Sequence, residues 1–216
     1  MREVVIVDAI RTPLGRRGGA LSKNHPVETS AVLLNALKER NQLEPELVDH
    51  VIGDPPYEDE LHGAIGRIRR NDGQEMISDL GFGGINAVRA EVSRLCVERS
   101  NGWLILFTLA EGVRAWRDDI QAAGGKWDTC PAWIKPDSAP RFNGQGAARG
   151  FECAVTAWCG PGYRGWNCGG KRGVYTVNCN GDRPGGHPTE KPERLMRQLV
   201  FDFTQPSQLI CDPFMG

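Results

Sequence analysis

Apolar residues recur along this chain in two different periods, and the switches between them predict strands alternating with helices. Val4 to Val7, Val48 to Ile52 and Trp103 to Phe107 are short, largely apolar runs, each read as a strand. After Pro26, a residue suited to a first helical turn, Val27, Ala31, Leu34 and Leu37 recur at helical spacing. Glu44 to Asp49 reads as a short helical turn. Ile85, Val88, Val92 and Leu95 predict a second helix, and Val113, Trp116 and Ile120 a third that stops at Gly124-Gly125. Trp127 to Ile134 and Phe151 to Trp158 predict two more strands, separated by the glycine-rich segment Asn143 to Gly150. A last helix begins near Pro192, buries Leu195, Leu199 and Phe203, and leads to the strand Leu209 to Asp212. Glu58 to Gly84 and Gly160 to Gly186 are rich in glycine without periodicity, which predicts a loop for the first and a long loop or irregular subdomain for the second.

Strands alternating with helices predict an α/β fold built on an open, mostly parallel sheet. In such sheets ligands bind beyond the carboxyl ends of the strands. Two unusual motifs fall there: Asp54 to Tyr57 after one strand, and Asp212 to Gly216 after another. The chain has 216 residues, 40% hydrophobic and 25% charged, which is ordinary for a soluble globular protein. No apolar run approaches the roughly 18 residues of a membrane span, and no hydrophobic signal region opens the chain; a cytoplasmic protein without a membrane anchor is expected. Seven cysteines stand at irregular spacing with no CxxC pair, so neither a disulfide framework nor a zinc site is expected, and no metal is called for.

A net charge of −1 hides an uneven distribution. Between Ser138 and Thr189, six basic residues (Arg141, Arg149, Arg164, Lys171, Arg172 and Arg183) face two acidic ones, interleaved with Phe142, Phe151, Trp158, Tyr163, Trp166 and Tyr175. Cations among aromatics suit a surface that tracks phosphates and stacks on bases, although a solvated basic face would read the same way. Arg141, Arg149, Lys171 and Arg172 are the candidate nucleic-acid contacts, in a recognition region of about 137–186. Gly144-x-Gly146-x-x-x-Gly150 lacks dinucleotide-loop spacing and does not join a strand to a helix.

Asp54-Pro55-Pro56-Tyr57 is the most specific signal. Two prolines end the strand before them and hold the carboxylate and the Pro55 carbonyl in a fixed arrangement. An exocyclic amine on a nucleobase is a weak nucleophile because its lone pair is delocalised into the ring. Asp54 and the Pro55 carbonyl can accept its two N–H groups and favour a pyramidal, more reactive nitrogen. Tyr57 offers a face on which an extruded base can stack. The alternative is a proline turn with an incidental acid and ring.

These residues resemble the catalytic motif of the N6-adenine and N4-cytosine DNA methyltransferases, and later segments follow the order of that family's permuted arrangement. Trp133-x-Lys135 and Arg149-Gly-Phe-Glu152 look like its segment beyond the central sheet. His187-Pro-Thr-Glu-Lys-Pro192 resembles the segment beside the cofactor's methionine, and Asp212-Pro-Phe-Met-Gly216 the start of the cofactor loop. The resemblance implies a Rossmann-like fold, S-adenosyl-L-methionine as cofactor and DNA as partner, in the manner of restriction-modification enzymes. It implies cofactor contacts at Asp212, Phe214 and Gly216, with Lys191 and Pro192 at the methionine end. Aspartate at position 54 leans towards adenine N6.

The opening of the chain resembles a different family. Arg2 to Pro13, Gly18-Gly-Ala-Leu21, the helix Ala31 to Arg40 and Val48 to Ile52 are similar to the N-terminus of thiolases, the acetyl-CoA acyltransferases. Cys96 lacks the glycine- and serine-rich context of the thiolase nucleophile. The expected organisation is therefore composite: a thiolase-like segment over 1–52 and a methyltransferase-like domain over 53–216 that stops inside its cofactor loop, with methyl transfer correspondingly weak. A thiolase fragment without chemistry, or a non-catalytic nucleic-acid-binding module, are the competing readings.

Overall fold

The computed structural model describes residues 48–58, 84–142, 144–180 and 190–214, together with six scattered positions between Val32 and Gln42. The strand at Val4 to Val7, the turn at Glu44 to Asp49 (largely), the loop Glu58 to Gly84 (largely) and Gly216 lie outside the described residues. Of the helix expected after Pro26, the described positions Val32, Asn35, Ala36, Glu39 and Arg40 are helical.

Seven strands form one sheet: β1 (His50–Gly53), β2 (Trp103–Thr108), β3 (Lys126–Thr129), β4 (Ala132–Ile134), β5 (Phe151–Trp158), β6 (Val174–Thr176) and β7 (Ile210–Cys211). Their order is β6-β4-β5-β2-β1-β7, with β3 also pairing β5. β7, β1 and β2 run parallel, β5 is antiparallel to β2, and β4 and β6 are parallel to each other. Three helices complete the fold: α1 (Arg89–Arg99), preceded by a 3₁₀ turn at Ile85–Ala87, α2 (Val113–Ala122) and α3 (Glu193–Phe203).

The sheet lies between two helical layers, and the alternation of β2 shows why. Trp103, Ile105 and Phe107 join the cluster that holds Leu195, Leu199 and Phe203 of α3. Leu104 and Leu106 join the cluster that holds Val92 and Cys96 of α1 with Trp116 and Ile120 of α2. Both faces of β2 are thus covered, which is the condition for an unbroken apolar strand. α2 closes where expected: Gly124 adopts φ +94° and the Gly125 amide donates to the Ile120 carbonyl at 2.9 Å. An ion pair between Arg89 and Asp119, at 2.7 Å, ties α1 to α2.

His50 locks the parallel half together. Its Nδ1 accepts the Trp103 amide at 2.9 Å, so the proton sits on Nε2, which donates to Gln208 Oε1 at 2.8 Å. Burial lowers the pKa of this imidazole, and it serves as a neutral clamp between β1, β2 and the turn before β7.

Two elements differ from the sequence reading. The single strand expected over Trp127 to Ile134 is interrupted at Cys130-Pro131, because proline has no amide for the ladder; β3 and β4 each pair β5. Within Gly160 to Gly186, Val174–Thr176 forms the edge strand β6 against β4. The loop before it is fastened to α3 by the buried Asp202, which accepts from Tyr175 Oη at 2.7 Å, from Cys168 Sγ at 2.9 Å and from Lys171 Nζ.

Candidate active site at the carboxyl edge of the parallel strands

Because β7, β1 and β2 are parallel neighbours, their carboxyl ends open on one edge, and both motifs singled out in the sequence meet there. Asp54 follows β1, and Asp212 follows β7. Their closeness shows at Gly53, where an added Cβ would lie 2.7 Å from Phe214 Cδ2 and 3.1 Å from Asp212 Oδ1. The Asp212 carboxylate also accepts the Phe214 amide at 2.9 Å, fixing the turn after β7.

Lys191 connects the two motifs to a third. It precedes α3, whose first turn is set by Pro192: the Leu195 amide donates to the Pro192 carbonyl at 2.9 Å. Its Nζ donates to Asp54 Oδ2 at 2.5 Å and to Tyr57 Oη at 3.1 Å, and lies over the Tyr57 and Phe107 rings at 5.3 and 5.0 Å. The Lys191 side chain is 9% exposed, and that of Asp54 32%. Asp54 Oδ1 is itself buried and has no hydrogen-bond partner in the structure. A buried carboxylate oxygen costs free energy unless a donor meets it, so this atom marks where a substrate N–H would bind.

Two residues outside the sequence-predicted site complete it. Tyr57 Oη donates to Glu152 Oε2 at 2.7 Å, and Lys135 Nζ donates to Glu152 Oε1. Lys191 Nζ stands 3.6 Å from Glu152, and Lys135 lies over the Trp133 ring at 4.3 Å. Two carboxylates, Asp54 and Glu152, thus face two ammonium groups, Lys135 and Lys191. The Trp133-x-Lys135 and Arg149 to Glu152 segments were visible in the sequence, but only the pairing of β4 with β5 brings their polar ends together.

Protonation follows from burial and neighbours. Burial raises the Asp54 pKa, with Lys191 opposing and Glu152 adding to the rise. Burial, with the Asp54 and Glu152 charges, pushes the Tyr57 phenol far up, so it is a neutral donor. Burial also acts to raise Glu152, but Lys191 and Lys135 outweigh it and leave this carboxyl lowered and ionised. Burial pushes Asp212 up to about 6.

The candidate nucleic-acid residues lie elsewhere. Arg141 and Arg172 are exposed, and Arg149 forms a solvent-facing ion pair with Glu111 at 2.9 Å. Lys171 is engaged by Asp202 and is part of the anchor described above. Phe142 and Tyr163 stand out into solvent, 91% and 102% exposed. Cys96, the one candidate for an acyl-transfer nucleophile, is buried in α1, where burial pushes its thiol pKa up.

Comparison with known proteins agrees with the site. The family model for N6 and N4 methyltransferases, described as DNA methylase, matches residues 48–216. The M1.HpyAVI–SAM complex has a similar fold, with a TM-score of 0.57 and 18% identity over 87% of this chain and 79% of that one. TTHA0409, a DNA modification methylase from Thermus thermophilus so described on trial, is similar at a TM-score of 0.50 and 19% identity over 83% and 77%. At such identities the likeness concerns the fold. The curated relatives are thiolases: the steroid 3-ketoacyl-CoA thiolase FadA6 of Mycobacterium tuberculosis is 40% identical over 70 residues, 32% of this chain and 17% of that protein. The 3-ketoacyl-CoA thiolase of Pseudoalteromonas atlantica is 32% identical over 127 residues, 58% of this chain and 30% of that protein. The chain thus spans less than a third of either thiolase, whereas the methylase match takes in all the strands and helices that form the sheet and its two covering layers. This chain belongs to the DNA methylase family of N6/N4 methyltransferases.

Proposed function

We propose that the chain methylates an exocyclic amine of DNA, adenine N6, with S-adenosylmethionine as methyl donor, at the edge formed by Asp54 to Tyr57. The buried, unpartnered Oδ1 of Asp54 beside the Asp212–Phe214 turn carries this reading. Oδ1 and the Pro55 carbonyl accept the two amine hydrogens and hold the nitrogen lone pair directed at the methyl group. The Tyr57 ring, fixed through its hydroxyl, stacks on the extruded base. Asp54, whose pKa is raised by burial, is placed to take the proton that the amine gives up. S-adenosylmethionine, when bound, supplies an electrophilic methyl on its sulfonium. Asp212, Phe214 and Gly216 would hold its nucleoside side, and Lys191 and Pro192 its methionine side. The cradle at Gly53 fits this group, since any side chain there would enter the space of Phe214 and Asp212.

Gly53→Ala tests the cofactor site. The added methyl would drive Phe214 aside, and overpacking of this kind costs about 1–3 kcal/mol; S-adenosylmethionine affinity by calorimetry should weaken by about tenfold or more. Unchanged affinity would remove Phe214 and Asp212 from the cofactor site.

The DNA surface is assigned to the exposed cations of the recognition region, supported by the two protruding rings, Phe142 and Tyr163. Reversing Arg141, Arg149 and Arg172 to glutamate should weaken binding at low salt. The slope of log affinity against log salt should flatten by up to about 0.9 per lost phosphate contact. Lys171 is kept, because its removal strands the buried Asp202. Equal binding by the triple variant would show that DNA lies elsewhere. Among the described residues no helix is long and apolar enough to cross a membrane, and a cytoplasmic site of action accords with a DNA substrate. The first 52 residues are read as a separate, thiolase-like segment without acyl-transfer chemistry, supported by the inaccessible Cys96.

A further inference from the structure

We propose that Glu152 is a positioning residue for methyl transfer, acting through Lys191 and Tyr57 to hold Asp54 with Oδ1 open to the substrate amine. The inference rests on the function proposed above and adds to it a residue that never touches the substrate.

The placement comes from the sheet. Thr108↔Cys153 is the last pair between β2 and β5, so Glu152 stands one residue beyond the carboxyl end of β2, on the edge where Asp54 lies. β4 is antiparallel to β5 and ends at the same edge, where it delivers Lys135. Glu152 is 9% exposed and both its oxygens are occupied, Oε1 by Lys135 and Oε2 by Tyr57. It therefore has no free acceptor to offer a nucleotide. What it can do is fix its neighbours. Its charge holds Lys191 at 3.6 Å, while the hydroxyl of Tyr57 bridges the two. Held from that side, Lys191 reaches Asp54 through Oδ2 alone, and Oδ1 stays unpartnered. Without Glu152, Lys191 is free to close over both oxygens of Asp54, and the Tyr57 ring loses the anchor of its hydroxyl. A carboxylate present only to neutralise Lys135 would need neither the Tyr57 bond nor the approach to Lys191.

The test uses the full chain carrying Glu152→Gln, which keeps the shape and removes the charge. Two readouts are taken: single-turnover transfer of labelled methyl to DNA, and the pH titration of the Asp54 carboxyl carbon by NMR, assigned with Asp54→Asn. The expected rate falls by about tenfold to 100-fold, the cost of misplacing reacting groups by a fraction of an ångström to about 1 Å, with DNA and cofactor affinities within about threefold. The Asp54 titration should move to lower pH, because the Glu152 charge that raises it is gone and Lys191 pairs more closely. Tyr57→Phe keeps every charge and serves if Glu152→Gln does not fold. It should slow transfer and move the Asp54 titration the opposite way, upward, by removing a hydrogen bond that favours the ionised form. An Asp54 titration that stays put in the folded Glu152→Gln protein, or in Tyr57→Phe where that protein is used, overturns the proposal whatever the rate, as does a rate within about twofold of the parent. Absence of transfer by the parent would instead sink the proposed function, and the titration would still decide whether Glu152 is coupled to Asp54.

Discussion

Replacing Asp54 by alanine is expected to lower the single-turnover rate of methyl transfer by about 10²–10³-fold, the range for removing one preorganised group that stabilises charge in a transition state. Two losses combine. The amine loses the Oδ1 acceptor that makes its nitrogen nucleophilic, and Lys191, 9% exposed, loses its nearest counter-charge and is left to Glu152 and the two rings. An uncompensated buried ammonium is costly, so Lys191 should swing towards Glu152. Asp54→Asn separates the two effects, since its amide oxygen still accepts one N–H while the charge and the proton acceptor are gone; its rate should fall between the parent and Asp54→Ala. DNA affinity should be nearly unchanged in both, because phosphate contacts dominate it. A rate for Asp54→Ala within about fivefold of the parent would contradict the assigned role.

Asp212→Asn should act in the opposite sense on stability. Burial pushes the Asp212 carboxyl up to about 6 from an ordinary 3.8; the Asp54 charge adds to this, and the Phe214 amide and Lys191 oppose it. Between those two pH values the folded chain keeps a proton that the unfolded chain has released, so stability falls as pH rises through the window and stays lower above it. At about 1.4 kcal/mol per pKa unit the cost at neutral pH is at most about 3 kcal/mol, less what water recovers, since Asp212 is only partly buried. Asparagine keeps the acceptor for the Phe214 amide and carries no charge to desolvate. Denaturant unfolding should therefore show the variant more stable than the parent at about pH 8, with the gain gone below about pH 4. His50, whose lowered pKa destabilises the fold at acid pH, is common to both chains and cancels in the comparison. Equal or lower stability of the variant at about pH 8 would show that Asp212 is not strained by its surroundings. A gain in stability with weakened S-adenosylmethionine binding is the pattern expected of a charge kept for function.

The sequence was legible where structure is set by local rules. The apolar run Trp103 to Phe107, the periodic face of Val113 to Ile120 with its glycine stop, and the helix opening at Pro192 all depend on neighbours a few positions away. Asp54-Pro-Pro-Tyr57 was legible for the same reason, since its prolines write the end of β1 into the chain. β6 escaped because an edge strand of three residues in a glycine-rich stretch has no period to detect, and it is specified by pairing with β4. Glu152 and Lys135 escaped as site residues because their roles depend on strand order. Tyr57 and Glu152 stand 95 positions apart, and Asp54 and Lys191 137 apart, so nothing in local spacing joins them. The same holds for Lys171, read as a DNA contact from composition and found paired with Asp202, 31 positions later.

Most direct of all is the identity of the product. DNA incubated with the chain in excess and with labelled S-adenosylmethionine, then digested to nucleosides and separated with mass detection, registers even slow chemistry. Label should appear in N6-methyladenine, and not when Asp54 is replaced by alanine. Label in no nucleoside, or the same label with Asp54→Ala, would contradict the assignment of the Asp54–Tyr57 edge as a methyl-transfer site.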